Sequence, residues 1–131
     1  MTRKQLAAPP QFAEKFGYSQ ASRIGNMVAV SGTAPRADLY GDIVGKGDVY
    51  QQSVQVLKNI LASLEAVGAS ATDVVRSRIY ITSMDHLWDI GRAHQEVFGD
   101  INPATSLLHV EGFFDADVLV EMEVDAYLSE D

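Results

Sequence analysis

Asn102-Pro-Ala-Thr-Ser-Leu-Leu-His-Val110 and Val118-Leu-Val-Glu-Met-Glu-Val-Asp-Ala-Tyr127 close the chain as two extended segments. The second alternates without a break. Val118, Val120, Met122, Val124 and Ala126 fall on one side; Leu119, Glu121, Glu123, Asp125 and Tyr127 fall on the other. Successive side chains of a strand point to opposite faces, so the pattern predicts one face on a core and one acidic face turned away from it. In the first segment, Thr105–Val110 reads as a strand with Thr105, Leu107 and His109 on a common face.

Working back toward the N-terminus, Asp48 opens a helix. Val49, Ser53, Val54, Val56, Leu57, Ile60, Leu61 and Leu64 recur at a helical period. Asp48 with Gln51 three residues on suggests a capping box, and Gly68 is placed to end the helix. Val74–Thr82 is β-branched and reads as a strand. Ser83 is placed to cap a second helix that runs through Phe98 and ends at Gly99. Tyr18–Ile24 and Met27–Gly32 flank Gly25-Asn26, a turn pair suited to a hairpin. Residues 33–47, rich in glycine, read as a long loop of functional character with a short extended piece at Asp42–Val44. Residues 1–16 read as an arm or loop. The order β-β-α-β-α-β-β predicts an α+β two-layer sandwich with both helices on one face of the sheet. Tyr80 and Leu119, assigned to the opposite face, suggest a subunit interface there.

The chain has 131 residues, fitting one domain over 1–131, with 47% hydrophobic residues for its core. Cysteine is absent, which excludes disulfides, thiolate metal sites and cysteine nucleophiles. Neither a signal peptide nor a membrane-spanning run is evident, so a soluble cytoplasmic protein is expected. A net charge of −8 opposes binding to nucleic acid or to an anionic membrane surface.

Several pieces in order resemble the RidA/YjgF family, also described as L-PSP endoribonuclease-like proteins. They are Gly25-Asn-Met-Val-Ala-Val-Ser-Gly32, Gly41-Asp-Ile-Val44, Gln52-Ser-Val-Gln-Val-Leu-Lys-Asn-Ile-Leu61, Ile79-Tyr-Ile-Thr82, and the closing segments with Pro103-Ala-Thr-Ser106 and Glu121-Met-Glu123. The resemblance runs from about Tyr18 to Tyr127. It implies a fold related to chorismate mutase and a homotrimer with a central barrel and three clefts between subunits. It also implies hydrolysis of reactive enamines and imines to 2-oxo acids and ammonia, with no metal or organic cofactor.

The family pattern has arginine in Pro-Ala-Arg-Ser, where it binds the substrate carboxylate; Thr105 stands there in this chain. A guanidinium offers a charged bidentate fork, whereas a threonine offers one neutral hydroxyl. Charge-assisted hydrogen bonds are worth about 1.5–3 kcal/mol, so a carboxylate substrate is expected to be held less tightly or differently. Thr105 is read either as a ligand contact of altered specificity or as a strand residue with no ligand. Glu121 matches the glutamate that orients or activates water, and loss of the arginine beside it is expected to raise its pKa. The competing reading is a solvated acid in an acidic strand.

The resemblance also places Tyr18, Ser31 and Gly32 at the cleft, against interface packing for Tyr18 and an ordinary strand end for Ser31-Gly32. Gly91 and His94 occupy helix positions where active members carry Asn and Tyr. His94 either faces the cleft or packs. Leu107 replaces a frequent cysteine and makes the wall more apolar. Arg92 is a candidate substitute cation, or a solvated helix residue. His86, His94 and His109 form no metal-ligand motif, and no zinc site is expected. The leading expectation is a hydrolase of enamines or imines with altered specificity. The alternative is a non-catalytic module that binds a small metabolite. A ribonuclease is disfavoured by the acidic charge.

Overall fold

A computed structural model describes residues 2–129. Six strands form one sheet: β1 (Arg3–Ala7), β2 (Ser19–Ile24), β3 (Met27–Thr33), β4 (Val74–Ile81), β5 (Ala104–His109) and β6 (Val120–Tyr127). Their order is β1-β2-β3-β6-β4-β5, with β4 and β5 parallel and every other pair antiparallel. The helices are α1 (Pro10–Phe16), α2 (Val49–Ala66) and α3 (Leu87–Phe98). The last strand of the sequence therefore lies in the middle of the sheet. This is why its apolar side is so regular: Val120, Met122, Val124 and Ala126 are all buried. They pack with Val28, Val30, Ile79 and Ile81 beneath Val56, Leu57, Ile60 and Leu64 of α2 and Ile90, Ala93 and Phe98 of α3. The α+β two-layer architecture is as the sequence predicts.

The first sixteen residues correct the expectation of an arm. Residues 3–7 form an edge strand on β2, and only Leu6 of that strand packs against the core. Pro10 starts α1 at the position where a missing N–H costs nothing, and Gly17 ends it in the left-handed region at φ 67. Met1 lies outside the described residues. The expected capping box of α2 is half formed: the Asp48 side chain accepts from the Gln51 N–H at 3.0 Å, while the Asp48 N–H bonds the Gly45 carbonyl. Gly68, at φ 86, closes α2 as expected. Ser83 caps a separate 3-10 turn, Met84–His86, by accepting from the Asp85 N–H, and α3 begins only at Leu87.

The loop between β3 and α2 is pinned from below by α2. Asn59 donates to the carbonyls of Ala34 (3.1 Å) and Arg36 (2.7 Å), and Gln55 donates to the Arg36 carbonyl (3.1 Å). The extended piece expected at Asp42–Val44 is a single bridge, Arg36 to Ile43. On the sheet face away from the helices, Arg78 meets Glu123 and Asp125, each at 3.3 Å, and the Tyr80 hydroxyl donates to Glu123. Leu119 packs instead at the margin of the core, its N–H donated to Gln52. No helix among the described residues is long and apolar enough to cross a membrane.

Candidate functional site

A β-bulge places the first functional group. Pairing between β3 and β6 slips between Val30 and Thr33, and the extra residue kinks the strand. Gly32 lies in the slip, where an added Cβ would come within 3.3 Å of Glu121 Oε1. Glycine therefore lets the backbone approach the carboxylate. Glu121 is paired with Tyr80 across β6 and β4, on the face away from the helices.

Beside Glu121 lies a cavity of about 190 Å³. Its walls include Tyr18, Gln20 and Gly32 from the hairpin, Arg36 and Leu39 from the loop, Phe12 from α1, and Phe114, Asp115 and Val118 from the turn before β6. Phe12 and Phe114 meet edge to face with ring centres 5.2 Å apart. The Arg36 guanidinium lies 6.0 Å from the Phe12 ring centre and donates to the Gly41 carbonyl at 3.2 Å. Asp38 and Leu39 beside it have φ 50 and 73, a conformation that costs a leucine energy. Gln20, buried, donates to Thr33, whose hydroxyl donates in turn to the Ser31 carbonyl.

Burial in this cavity pushes the Glu121 carboxyl up to about 7, while the Arg36 guanidinium pulls the other way. A charged carboxylate is disfavoured where water is excluded. Tyr18 is raised above its usual value by burial and by Glu121, again opposed by Arg36. The cavity thus joins an acid poised near neutrality, a phenol and a guanidinium.

The other residues singled out in the sequence lie elsewhere. Thr105 pairs with Ser77, whose side chain is buried beneath the helices. Paired residues share a face, so Thr105 and Glu121 occupy opposite faces of the sheet. Ser77 Oγ lies 2.8 Å from His94 Nε2 and 3.0 Å from Thr105 Oγ1, and Thr105 donates to the Pro103 carbonyl at 2.9 Å. Each hydroxyl has one proton. With the Thr105 proton on Pro103, Ser77 donates to Thr105, and His94 must donate from Nε2 to Ser77. This chain fixes the tautomer and gives Ser77 no base to activate it. Burial holds His94 below its ordinary pKa.

His94 and Thr105 line a shallow groove of about 220 Å³ at the β5 edge. Leu107 is half-buried against the core, and Gly91 lies exposed on α3, with open space where a Cβ would sit. The Ser31 hydroxyl donates to the Ser19 carbonyl at 2.6 Å. Arg92, the cation suggested by the sequence, stacks 3.7 Å from the Tyr50 ring centre and pairs with Asp89. Arg36 is the guanidinium that lines the same cavity as the acid. The signal available for it was its place after Pro35 in a loop too long to be a simple connection. His109 Nε2 meets the Thr82 carbonyl at 3.1 Å. No group of three or more candidate metal ligands is assembled among the described residues.

A six-stranded α+β sandwich with an acid-bearing cleft beside a strand bulge is the class of protein that this geometry defines. The chain belongs to the RidA/YjgF family: the model of the family described as endoribonuclease L-PSP matches residues 9–128. A RutC family protein of Pyrococcus abyssi is 39% identical over 110 residues, spanning 84% of this chain and 85% of that protein. A crystal structure of a YjgF-family member from Mycobacterium tuberculosis matches with a TM-score of 0.86 at 35% identity, covering 97% of this chain and 100% of that one. The 2-iminobutanoate/2-iminopropanoate deaminase of Escherichia coli is 29% identical over 112 residues, 83% of this chain and 85% of that protein.

Proposed function

We propose that this protein hydrolyses small imines or enamines to carbonyl compounds and ammonia, with Glu121 as the general base. The observation that carries the reading is a carboxyl beside a cavity, pushed to about 7 by burial. A base titrating near the working pH is half ionised yet still basic enough to accept a proton. Water attacks the C=N carbon while Glu121 takes one water proton. That proton then passes to the nitrogen of the tetrahedral carbinolamine. The hydroxyl proton then follows through Glu121 to the same nitrogen, the C–N bond breaks as the C=O forms, and ammonia leaves. An enamine enters the same path after protonation at carbon. The relationship to the deaminase of Escherichia coli supports this reaction class.

The working form in this proposal is a homotrimer. Glu121 and Thr105 lie on opposite faces of one sheet, so a cleft containing both needs two chains, with the β5 edge of one set against the Glu121 cavity of the next. Light scattering giving three times the 14.3 kDa chain mass would agree with this assembly; a monomer at working concentration would remove it.

The test of function couples purified protein to an enzyme that releases 2-aminoacrylate. Faster ammonia and 2-oxo acid release is expected, abolished in Glu121→Ala. No acceleration on this or on other imines would refute the hydrolase reading. One observation favours a second reading, a binding module without turnover: Thr105 is neutral and its hydroxyl is already bonded to Ser77 and Pro103, so the β5 edge offers a substrate no charged grip. Ligand affinity unchanged by Glu121→Ala, with turnover absent from both forms, would select it.

A further inference from the structure

We propose that Arg36 is the specificity-determining residue of the Glu121 cavity, binding the carboxylate of a monoanionic ligand whose aromatic substituent packs on Phe12 and Phe114. This rests on the cavity being the ligand site, but not on turnover there.

Arg36 is the cation among the residues lining the cavity. Among the described residues it has no carboxylate within ion-pair distance, unlike Arg78 and Arg92, which are paired. One Nη atom donates to the Gly41 carbonyl; a guanidinium carries five N–H donors, so most of the fork is left for an anion. The main chain beneath it is fixed, because its carbonyl accepts from both Gln55 and Asn59. The guanidinium itself is held by its bond to Gly41, and a group already held loses less freedom when an anion binds. Its field is felt at Glu121 and Tyr18, where it opposes the upward shift of both groups. The cation and the base thus act on one small space.

The apolar half of the ligand follows from the other wall. Phe114 is 89% exposed, and its ring partner is Phe12. Pro9, Leu39 and Val118 extend the same lining. The exposed Phe114 ring offers an apolar face on which an aromatic group can pack. The charge count favours an anion with as little negative charge as possible. Asp115 shares the lining with Glu121, so two acidic groups accompany one guanidinium, and a phosphate dianion would be repelled. Thr105 gives no cation at the β5 edge, and Arg36 supplies one on the opposite side of the sheet.

Titration calorimetry on the intact protein tests this with 3-phenylpropanoate, its neutral amide, and propanoate. Wild type is expected to bind 3-phenylpropanoate at least about tenfold more tightly than the amide, the scale of one charge-assisted bond, and more tightly than propanoate. Arg36→Gln should erase the preference for acid over amide while the amide affinity stays. Arg36→Lys should keep part of that preference. Phe114→Ala, a change at an exposed ring that cannot unfold the core, should remove the advantage of 3-phenylpropanoate over propanoate. Equal binding of acid and amide by wild type, an unchanged preference in Arg36→Gln, or absence of binding by every probe would overturn the assignment. If Arg36→Gln melts early, Arg36→Lys and Phe114→Ala decide. Hydrolysis does not enter these measurements, so a protein that binds as described but turns nothing over refutes only the hydrolase reading.

Discussion

At the β5 edge, the hydrogen-bond chain from His94 through Ser77 and Thr105 ends on the Pro103 carbonyl. Beside the bulge, Glu121 makes no hydrogen bond or ion pair among the described residues, and only the field of Arg36 opposes the cost of burying it. The first region has satisfied its polar atoms, which stabilises a fold. The second has left an acid unsatisfied, which costs stability and suits chemistry. Both regions correspond to expected site residues, but only one is built to accept something else.

The sharpest way to break this contrast is Glu121→Gln. The amide keeps the shape and removes the base, so turnover should fall by roughly 10²–10⁴. In wild type the rate should rise with pH through about 7 as the carboxyl ionises. Arg36→Gln should move that midpoint upward, since the guanidinium favours the ionised form. Stability runs the other way. A folded pKa above the ordinary 4.5 means the folded state holds the proton more tightly. The associated stabilisation is complete below pH 4.5 and is lost as pH climbs through about 7. Glu121→Gln should therefore raise stability at pH 8 by about 1–2 kcal/mol, after allowance for partial exposure, and change it little at pH 4. Denaturant melts at both pH values check this; a loss of stability at pH 8 would mean that the carboxylate is held by bonds.

Ser77→Ala attacks the satisfied region at its centre. It leaves the His94 N–H and one Thr105 lone pair without a partner beneath the helices, and should cost about 1–3 kcal/mol. Binding of 3-phenylpropanoate should be unaffected. Thr105→Val removes one link nearer the surface and should cost about 1 kcal/mol. A change in ligand affinity larger than the change in stability would show that this edge faces a ligand in the assembled protein.

The sequence made the central half of the molecule readable and left its margins obscure. Strand β6 is buried between two neighbours, so its alternation was complete, while its pairing with β3 and β4 was not legible. The helix α2 carried both a cap and a periodic face. Segment 3–16 was missed because β1 contributes one apolar contact, Leu6, and α1 buries no residue; neither leaves a periodic trace. Yet Pro9-Pro10 and Gly17 bracket α1 with the residues a short helix uses at its ends. Glu121, Tyr18 and Gly32 were singled out through the family pattern, and they line one cavity. Arg36, Phe12 and Phe114 were not found, because they come from a loop, a seven-residue helix and a turn, and only folding brings them together. Thr105 was legible as a departure, but its bonds to Ser77 and Pro103 were not.

Gly91→Ala is the smallest change and separates the chain from its assembly. Gly91 lies within α3, exposed, and a Cβ there meets nothing within 4 Å. Glycine in a helix interior costs about 0.5–1 kcal/mol relative to alanine. Within one chain, then, Gly91→Ala should raise stability by about that amount and leave turnover unchanged. The position is one turn from His94, which lines the groove at the β5 edge that the proposed trimer sets against the next chain's Glu121 cavity. If the variant melts higher but turns over more slowly, the added methyl must meet something the isolated chain does not contain, and the cleft extends across the subunit boundary to α3. If stability and rate both follow the single-chain expectation, α3 stands clear of the ligand, and the site is confined to the Glu121 side.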